Sequence, residues 1–328
     1  MTDPIRNSVL QIPAREIPIP AHLSAEARAQ MAAGAMCNPP WPIQNDLEGW
    51  RAVIASMNAM GLAGLTLMGQ HIAADVCEID AHGARVFSVK PTAAPDDRAV
   101  YLDIHGGALL WGGGPSCRAM GVISAGMMNA HVWAIDYRMP PDHTYPAGVD
   151  DCVNAYRALL RERPPEKIII GGASAGGNLA AATILKARDV GLPLPAATVL
   201  MTPELDLTES GDTFNTLLGV DTALSSRLMP ANLLYAGGHE LTDPYVSPLF
   251  GDFHKGFPPT LLISGTRDLF LSNTVRMRCA LRAADIEADL YVMEAATHIG
   301  FYAGPESAER TRQVRRFVDT HWGRTARI

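Results

Sequence analysis

Ile168-Ile169-Ile170-Gly171-Gly172-Ala173-Ser174-Ala175-Gly176-Gly177-Asn178-Leu179-Ala180 is the stretch whose reading decides the fold. An apolar β-branched run enters a Gly-x-Ser-x-Gly turn, and a small-residue helical segment, Leu179 to Lys186, leaves it. A buried strand, a sharp turn and a helix form the context in which such a serine is lifted to the top of a sheet as a nucleophile. The glycines have a steric reason, since side chains beside the strained turn would strike the neighbouring strand and helix. Ala175, at the helix start, can turn its N–H toward developing negative charge. The competing reading is a Gly-rich helix start carrying an ordinary serine, and the flanking strand and helix weigh against it.

Outward from this stretch the chain alternates. Ile72–Ile79 and Ala84–Lys90, joined by Asp80-Ala81-His82-Gly83, read as a hairpin. Strands follow at Ala99–Ile104, His131–Asp136, Lys167–Ile170, Ala197–Met201, Thr260–Ser264 and Ala288–Met293. Helices fall between and after them, near Ser116–Asn129, Ala147–Arg161, Asn273–Ala284 and Ser307–Trp322. An antiparallel entry followed by strand–helix units predicts an α/β fold, with a mostly parallel sheet covered by helices on both faces. Residues 1–70 read as a separate N-terminal helical segment ahead of a catalytic domain, 71–328. Ser24 and Asp46 cap two helices, the second reaching about Met68, and Cys37-Asn38-Pro39-Pro40-Trp41-Pro42 makes an elbow between them. Residues 204–257 interrupt the rhythm and read as an insertion that joins the N-terminal helices as a cap. Met31, Met36, Met57, Met60 and Met68 are expected in the core.

Composition bounds the function. The 328 residues carry a net charge of −7, which excludes a general nucleic-acid binder. Arg310, Arg312, Arg315 and Arg316 read as a solvated helix face. Five scattered cysteines without a C-x-x-C pair point to small buried thiols rather than a disulfide framework or a metal site, and no cofactor is expected. Met1 to Arg15 lacks the apolar core of a signal peptide. No apolar run is expected to span a membrane, the nearest being Met120–Ala134, broken by Asn129 and His131. The expectation is a cytoplasmic protein.

A serine nucleophile needs a base, and the base an orienting carboxylate. Where a serine on such a strand–turn–helix is the nucleophile, the expected chain order is Ser, acid, His, with acid and base each in a loop after a late strand. Gly265-Thr266-Arg267-Asp268 follows the strand ending at Ser264, making Asp268 the candidate acid; a helix-start aspartate is the alternative. His298 follows the last strand and is the candidate base. Glu294 is a weaker acid, too close before that histidine. The other histidines lie in the N-terminal segment, the hairpin turn, the insertion, the flanks of the fourth strand or the terminal helix. His105 opens His105-Gly106-Gly107-Ala108 after the third strand. Gly106 and Gly107, with Ala175, offer three N–H donors for an oxyanion, each worth roughly 3 kcal/mol in the transition state. Gly112-Gly113-Gly114 lacks the Gly-Lys-Ser/Thr ending of a phosphate loop. Trp41, Ala108, Leu109 and Trp111 are the candidate pocket lining, with Trp41 as a packing anchor the alternative.

Taken together, His105-Gly106-Gly107, Asp136-Tyr137-Arg138-Met139-Pro140-Pro141 and Gly172-to-Gly177 resemble the bacterial hormone-sensitive-lipase-like (family IV) esterases of the α/β-hydrolase superfamily. Asp243-Pro244-Tyr245-Val246-Ser247-Pro248-Leu249, Phe257-Pro258-Pro259-Thr260 and Gly265-to-Asp268 carry the similarity toward the C-terminus. The resemblance implies an eight-stranded sheet, a helical cap built partly from the N-terminus, and a metal-free Ser174–His298–Asp268 triad. It also implies Gly106, Gly107 and Ala175 as oxyanion donors, short-acyl carboxylic esters as small-molecule substrates, and a homodimer through the last strand. Ala108, Ala173 and Ile299 depart from the family pattern, which has a third glycine, Asp or Thr, and an immediate Gly-Phe there. The rival activities are a lactone hydrolase with the same residues and a non-catalytic small-molecule-binding protein on the same fold.

Overall fold

The computed structural model describes residues 9–35, 40–95 and 98–324; the stretch Cys37-Asn38-Pro39 of the expected elbow, and Met36, lie outside them. In chain order the elements are α1 (Ala25–Ala32), α2 (Leu47–Gly69), β1 (Ala74–Ala81), β2 (Ala84–Pro91), β3 (Val100–Ile104), α3 (Pro115–Met128), β4 (His131–Asp136) and α4 (Ala147–Leu159). Then come β5 (Ile168–Ala173), α5 (Ala175–Asp189), β6 (Ala197–Met201), α6 (Thr213–Thr216), α7 (Met229–Ala236), β7 (Thr260–Gly265), α8 (Leu271–Ala283), β8 (Ala288–Met293) and α9 (Gly304–His321). Ser24 and Asp46 cap α1 and α2, their side chains accepting from Ala27 N and Gly49 N.

The sheet has eight strands in the order β1-β2-β4-β3-β5-β6-β7-β8. The β1–β2 and β2–β4 pairings are antiparallel and the remaining five are parallel. Alternation along the strands splits the core in two, as a sheet's period of two requires. Leu102, Ile104, Ile168 and Ile170 face α4, α5 and α8, packing with Tyr156, Leu179 and Met277. Tyr101 and Ile169 face α3 and α9, packing with Cys117, Ala125 and Phe317. Helices on both faces leave the strand ends as the place where loops meet.

The β5–α5 turn is forced by contact. Ser174 sits at φ 58°, ψ −123°, a conformation that side-chain-bearing residues rarely adopt. A Cβ on Gly176 would lie 1.9 Å from Ile104 O, so only glycine lets the helix start against the end of β3.

Helix α2 and residues 204–257 pack together, whereas α1 departs from the expected cap: Leu23 and Ala27 bury against α9, and Ser24 donates to Glu306. Trp50 of α2 joins Leu110, Ala231 and Leu234 in one apolar cluster, with Trp41 and Trp111 beside it. Four further expectations change here. Helix α2, contrary to the expectation that no run could do so, is long and apolar enough to cross a membrane by length and composition, although Gly, Thr and Asn punctuate it. Met60 and Met68 of α2 are exposed rather than core. Arg310 is buried, donating to Ile299 O, while Arg315 donates to Gly126 O and Met127 O in the last turn of α3, so one ties a loop and the other a helix end instead of forming a free face. Cys117 and Cys152 are buried as expected, but Cys77 and Cys279 are exposed.

Gly176→Ala is expected to lower stability by at least about 3 kcal/mol, because backbone must move. Gly61→Ala, where a Cβ meets nothing within 4 Å in mid-helix, should instead gain roughly 0.5–1 kcal/mol. Denaturant midpoints of both variants check the contrast.

Candidate active site

Three loops at the strand ends bring Ser174, His298 and Asp268 together. His298 Nε2 lies 2.8 Å from Ser174 Oγ, and His298 Nδ1 donates to Asp268 Oδ1 at 3.1 Å. Ser174 is 6% exposed, His298 3% and Asp268 not at all. Asp268 is held by the Phe270 N–H on Oδ1 at 3.0 Å and the Ser264 hydroxyl on Oδ2 at 2.6 Å. With its lone pairs so committed, the carboxylate fixes the imidazole's tautomer and leaves Nε2 to accept the serine proton.

Burial works against a charged His298, but the hydrogen bond and charge of Asp268, with the charge of Asp221 behind it, outweigh that, and its pKa lies above the usual 6.5. The ring also meets Phe270 edge-on, with centroids 4.8 Å apart.

The loop after β3 lies against the nucleophile turn. A Cβ on Gly106 would come within 2.9 Å of Ala173 O and 3.4 Å of Ser174 Cβ. Gly107, at φ 127°, would drive a Cβ to 1.9 Å from Trp111 O, and its carbonyl accepts from the N–H groups of Leu110 and Trp111. Ala175 is the first residue of α5, where backbone N–H groups lack helical acceptors. His105 supports this loop instead of competing as a base. Its ring stacks on Tyr137 with centroids 4.2 Å apart, its Nδ1 bonds Gly106 O at 2.8 Å, and burial holds its pKa down to about 4.

The Asp136-Tyr137-Arg138 stretch explains itself at this point. Asp136 accepts from Gly114 N, the Tyr137 hydroxyl donates to His105 O, and Arg138 grips Asp151 of α4 through two nitrogens. His105, Cys117 and Asp136 also place ligand-type atoms within 4.8 Å of one another. Burial pushes the Cys117 thiol up and keeps it protonated, and Asp136 already serves Gly114 and Arg85, so the trio is poorly suited to a cation.

Of the residues read as pocket lining, Trp41, Ala108 and Trp111 share an apolar cluster with Phe214, Leu228, Leu269 and Phe270. Leu109 does not join them; it is fully buried in the main core with Leu102 and Tyr137, because the left-handed backbone at Ala108 (φ 49°) and Leu109 (φ 63°) turns it inward. Trp41 is also an anchor, stacking with Trp50 and Trp111 and donating Nε1 to Arg227 O.

Two carboxyls were missed by sequence reasoning. Asp221 accepts from the backbone N–H groups of His298 and Leu269, tying the base loop, the acid loop and the insertion in one bond set. Glu204 follows β6; its N–H donates to Ser174 O, its carbonyl accepts from Asn178 Nδ2, and both carboxyl oxygens are buried without a hydrogen-bond partner. Burial first, then the nearby Glu209, raises its pKa to about 8. A carboxyl in the Thr202-Pro203-Glu204 turn directly after a strand was the only signal available.

Residues 101–303 match a family model described as the alpha/beta hydrolase fold. An acetyl-hydrolase of Streptomyces hygroscopicus is 36% identical over 67% of this chain and 74% of its own length. The crystal structure of an esterase, E25, superposes with a TM-score of 0.86 at 32% identity, over 95% of this chain and 99% of that one. An esterase described as from the bacterial hormone-sensitive lipase family gives a TM-score of 0.73 at 28% identity, covering 88% and 93%.

The buried Glu204 makes stability depend on pH with a definite sign. Its carboxyl is protonated in the folded chain up to about pH 8 but ionised from about 4.5 when unfolded, so its cost grows as pH rises between those values. Glu204→Gln should therefore match wild type near pH 4 and exceed it by roughly 1–3 kcal/mol at pH 8. Urea titrations at the two pH values read the difference.

Proposed function

We propose a mechanism for a chain that belongs to the alpha/beta-hydrolase fold family and is a carboxylic ester hydrolase of its hormone-sensitive-lipase-like branch. Ser174 Oγ attacks the ester carbonyl while His298 Nε2 takes its proton. Asp268 keeps the ring in the required tautomer and stabilises the imidazolium. The N–H groups of Gly106, Gly107 and Ala175 receive the oxyanion. His298 then protonates the departing alcohol, leaving an acyl-enzyme on Ser174, and later activates the water that releases the acid. The observation that carries this reading is the 2.8 Å approach of His298 Nε2 to Ser174 Oγ, with Asp268 at the opposite ring nitrogen.

Of the expected cap, 1–70 with 204–257, the part from Trp41 through α2 and residues 204–257 act as the cap over this site. Their support is the packing of Trp41, Trp50 and Trp111 with Leu228, Ala231 and Leu234 above the oxyanion loop. Phe270, edge-on to the His298 ring, and the apolar cluster it shares with Ala108, Trp41 and Trp111 favour short acyl groups, a preference in keeping with a relative named acetyl-hydrolase. Strand β8 forms one edge of the sheet, which is what pairing of two copies along that strand requires.

Nitrophenyl butyrate mixed with the enzyme should give a burst of nitrophenolate equal to the active sites, and a serine-directed sulfonyl fluoride should add its mass to the Ser174 peptide. Ser174→Ala should abolish both and lower turnover by at least about 10³-fold while melting like wild type. Equal turnover by the alanine variant would sink the assignment.

A further inference from the structure

Helix α2 is apolar along most of its length, with Ser56, Asn58 and Thr66 its polar residues after Arg51, yet it lies mostly outside the core. An 18-residue window of it has a mean hydropathy of 1.5, and only 6% of that window is buried. Between Arg51 and Asp75 the chain has no Asp, Glu, Lys or Arg. Its inner side is committed. Trp50 packs under the Trp41–Trp111 stack, Asn58 Oδ1 accepts from Gly112 N at 2.8 Å, and Gly69 lies against Val122 of α3. The outward face presents Ala52, Ala55, Ala59, Met60, Ala63 and Leu67 around the hydroxyls of Ser56 and Thr66, with Met60 52% and Leu67 64% exposed and Thr66 Oγ1 donating back to Leu62 O.

A helix with this composition is ordinarily found inside a core or in lipid, and an apolar patch of a few hundred Å² on the outside of a fold is often a functional one. The charge pattern and the dimensions choose the occupant. A face about 34 Å long and about 10 Å wide offers roughly 350 Å², under half of the ~800 Å² per partner that a stable pair of copies needs. Anionic surfaces are disfavoured, because the face has no cation after Arg51 and the chain carries a net charge of −7. A neutral hydrocarbon boundary has neither requirement. The attachments to the Gly112 loop and to α3 keep the helix flat, so it can sink a few ångströms without crossing.

We propose that the outward face of α2 docks the protein on the surface of uncharged or zwitterionic lipid, with the loop that frames Ser174 held directly behind the docked helix. Through Asn58 and Gly112, docking and the oxyanion loop share one rigid contact, which places the ester-hydrolysing site at the boundary where apolar esters gather.

Flotation of the full chain with phosphatidylcholine vesicles tests this, and because it reads binding without turnover its outcome is independent of the acyl-enzyme mechanism. The wild type is expected to float with the vesicles, equally in low and high salt. Met60→Glu combined with Leu67→Glu should cut partitioning by at least roughly tenfold, while hydrolysis of a dissolved short ester and the melting temperature stay unchanged. A wild type left in the bottom fraction would overturn the proposal, as would flotation only on anionic vesicles or equal flotation of the double variant. Sedimentation showing a dimer that the double variant dissociates would also overturn it, assigning the face to a second copy.

Discussion

Everything at this site depends on how closely two backbones meet. The end of β3 presses against the start of α5 so tightly that Gly176 has room for no side chain at all. That contact holds Ser174 at φ 58° and fixes its hydroxyl above the sheet. The same contact brings the Gly106 loop against Ser174, because both leave parallel neighbouring strands at the same level, Ile104 pairing with Gly172. The candidate nucleophile and candidate oxyanion donors are thus consequences of one register. The strain is sustained by the two-sided core, which leaves the turn no alternative path.

Around this fixed serine the electrostatics are arranged by removing water. Ser174, His298 and Asp268 are nearly or fully buried, and in such a medium unpaired charge is costly while a directed carboxylate acts strongly. His298 has three carboxyls within its influence, and they differ in state. Asp268 is bonded to the ring, and Asp221 is saturated with backbone N–H groups. Glu204 has no such partners and holds its proton to about pH 8. An imidazole thus placed is biased toward its charged form, which is what a transient proton acceptor in a dry site requires.

The sequence made some of this readable and not the rest, for physical reasons. Strand, sharp turn and helix are local features, so Ser174, Gly106, Gly107 and Ala175 could be named from short windows. Asp268 and His298 could be named because each ends a recognisable strand, and the distances then bring both to Ser174. Asp221 could not, since its partners Leu269 and His298 lie 48 and 77 residues away, inside an irregular stretch without periodicity. The inward turn of Leu109 came from positive φ at non-glycine residues, which composition does not announce. The exposure of α2 escaped notice because hydrophobicity predicts burial only on average. Here Trp41, Trp50 and Trp111 fill the space on one side of the helix and nothing in the described chain covers the other.

The central claim is that a buried imidazole, biased by Asp268 and Asp221 toward its charged form, is the base that serves Ser174. The pH dependence of kcat/KM for a short nitrophenyl ester tests it most directly, since the acid limb reports the ionisation of that base in the free enzyme. The account predicts an inflection above pH 6.5 in the wild type, moving downward in Asp221→Asn as one raising charge is lost. An inflection at or below 6.5 that the substitution leaves in place would contradict it.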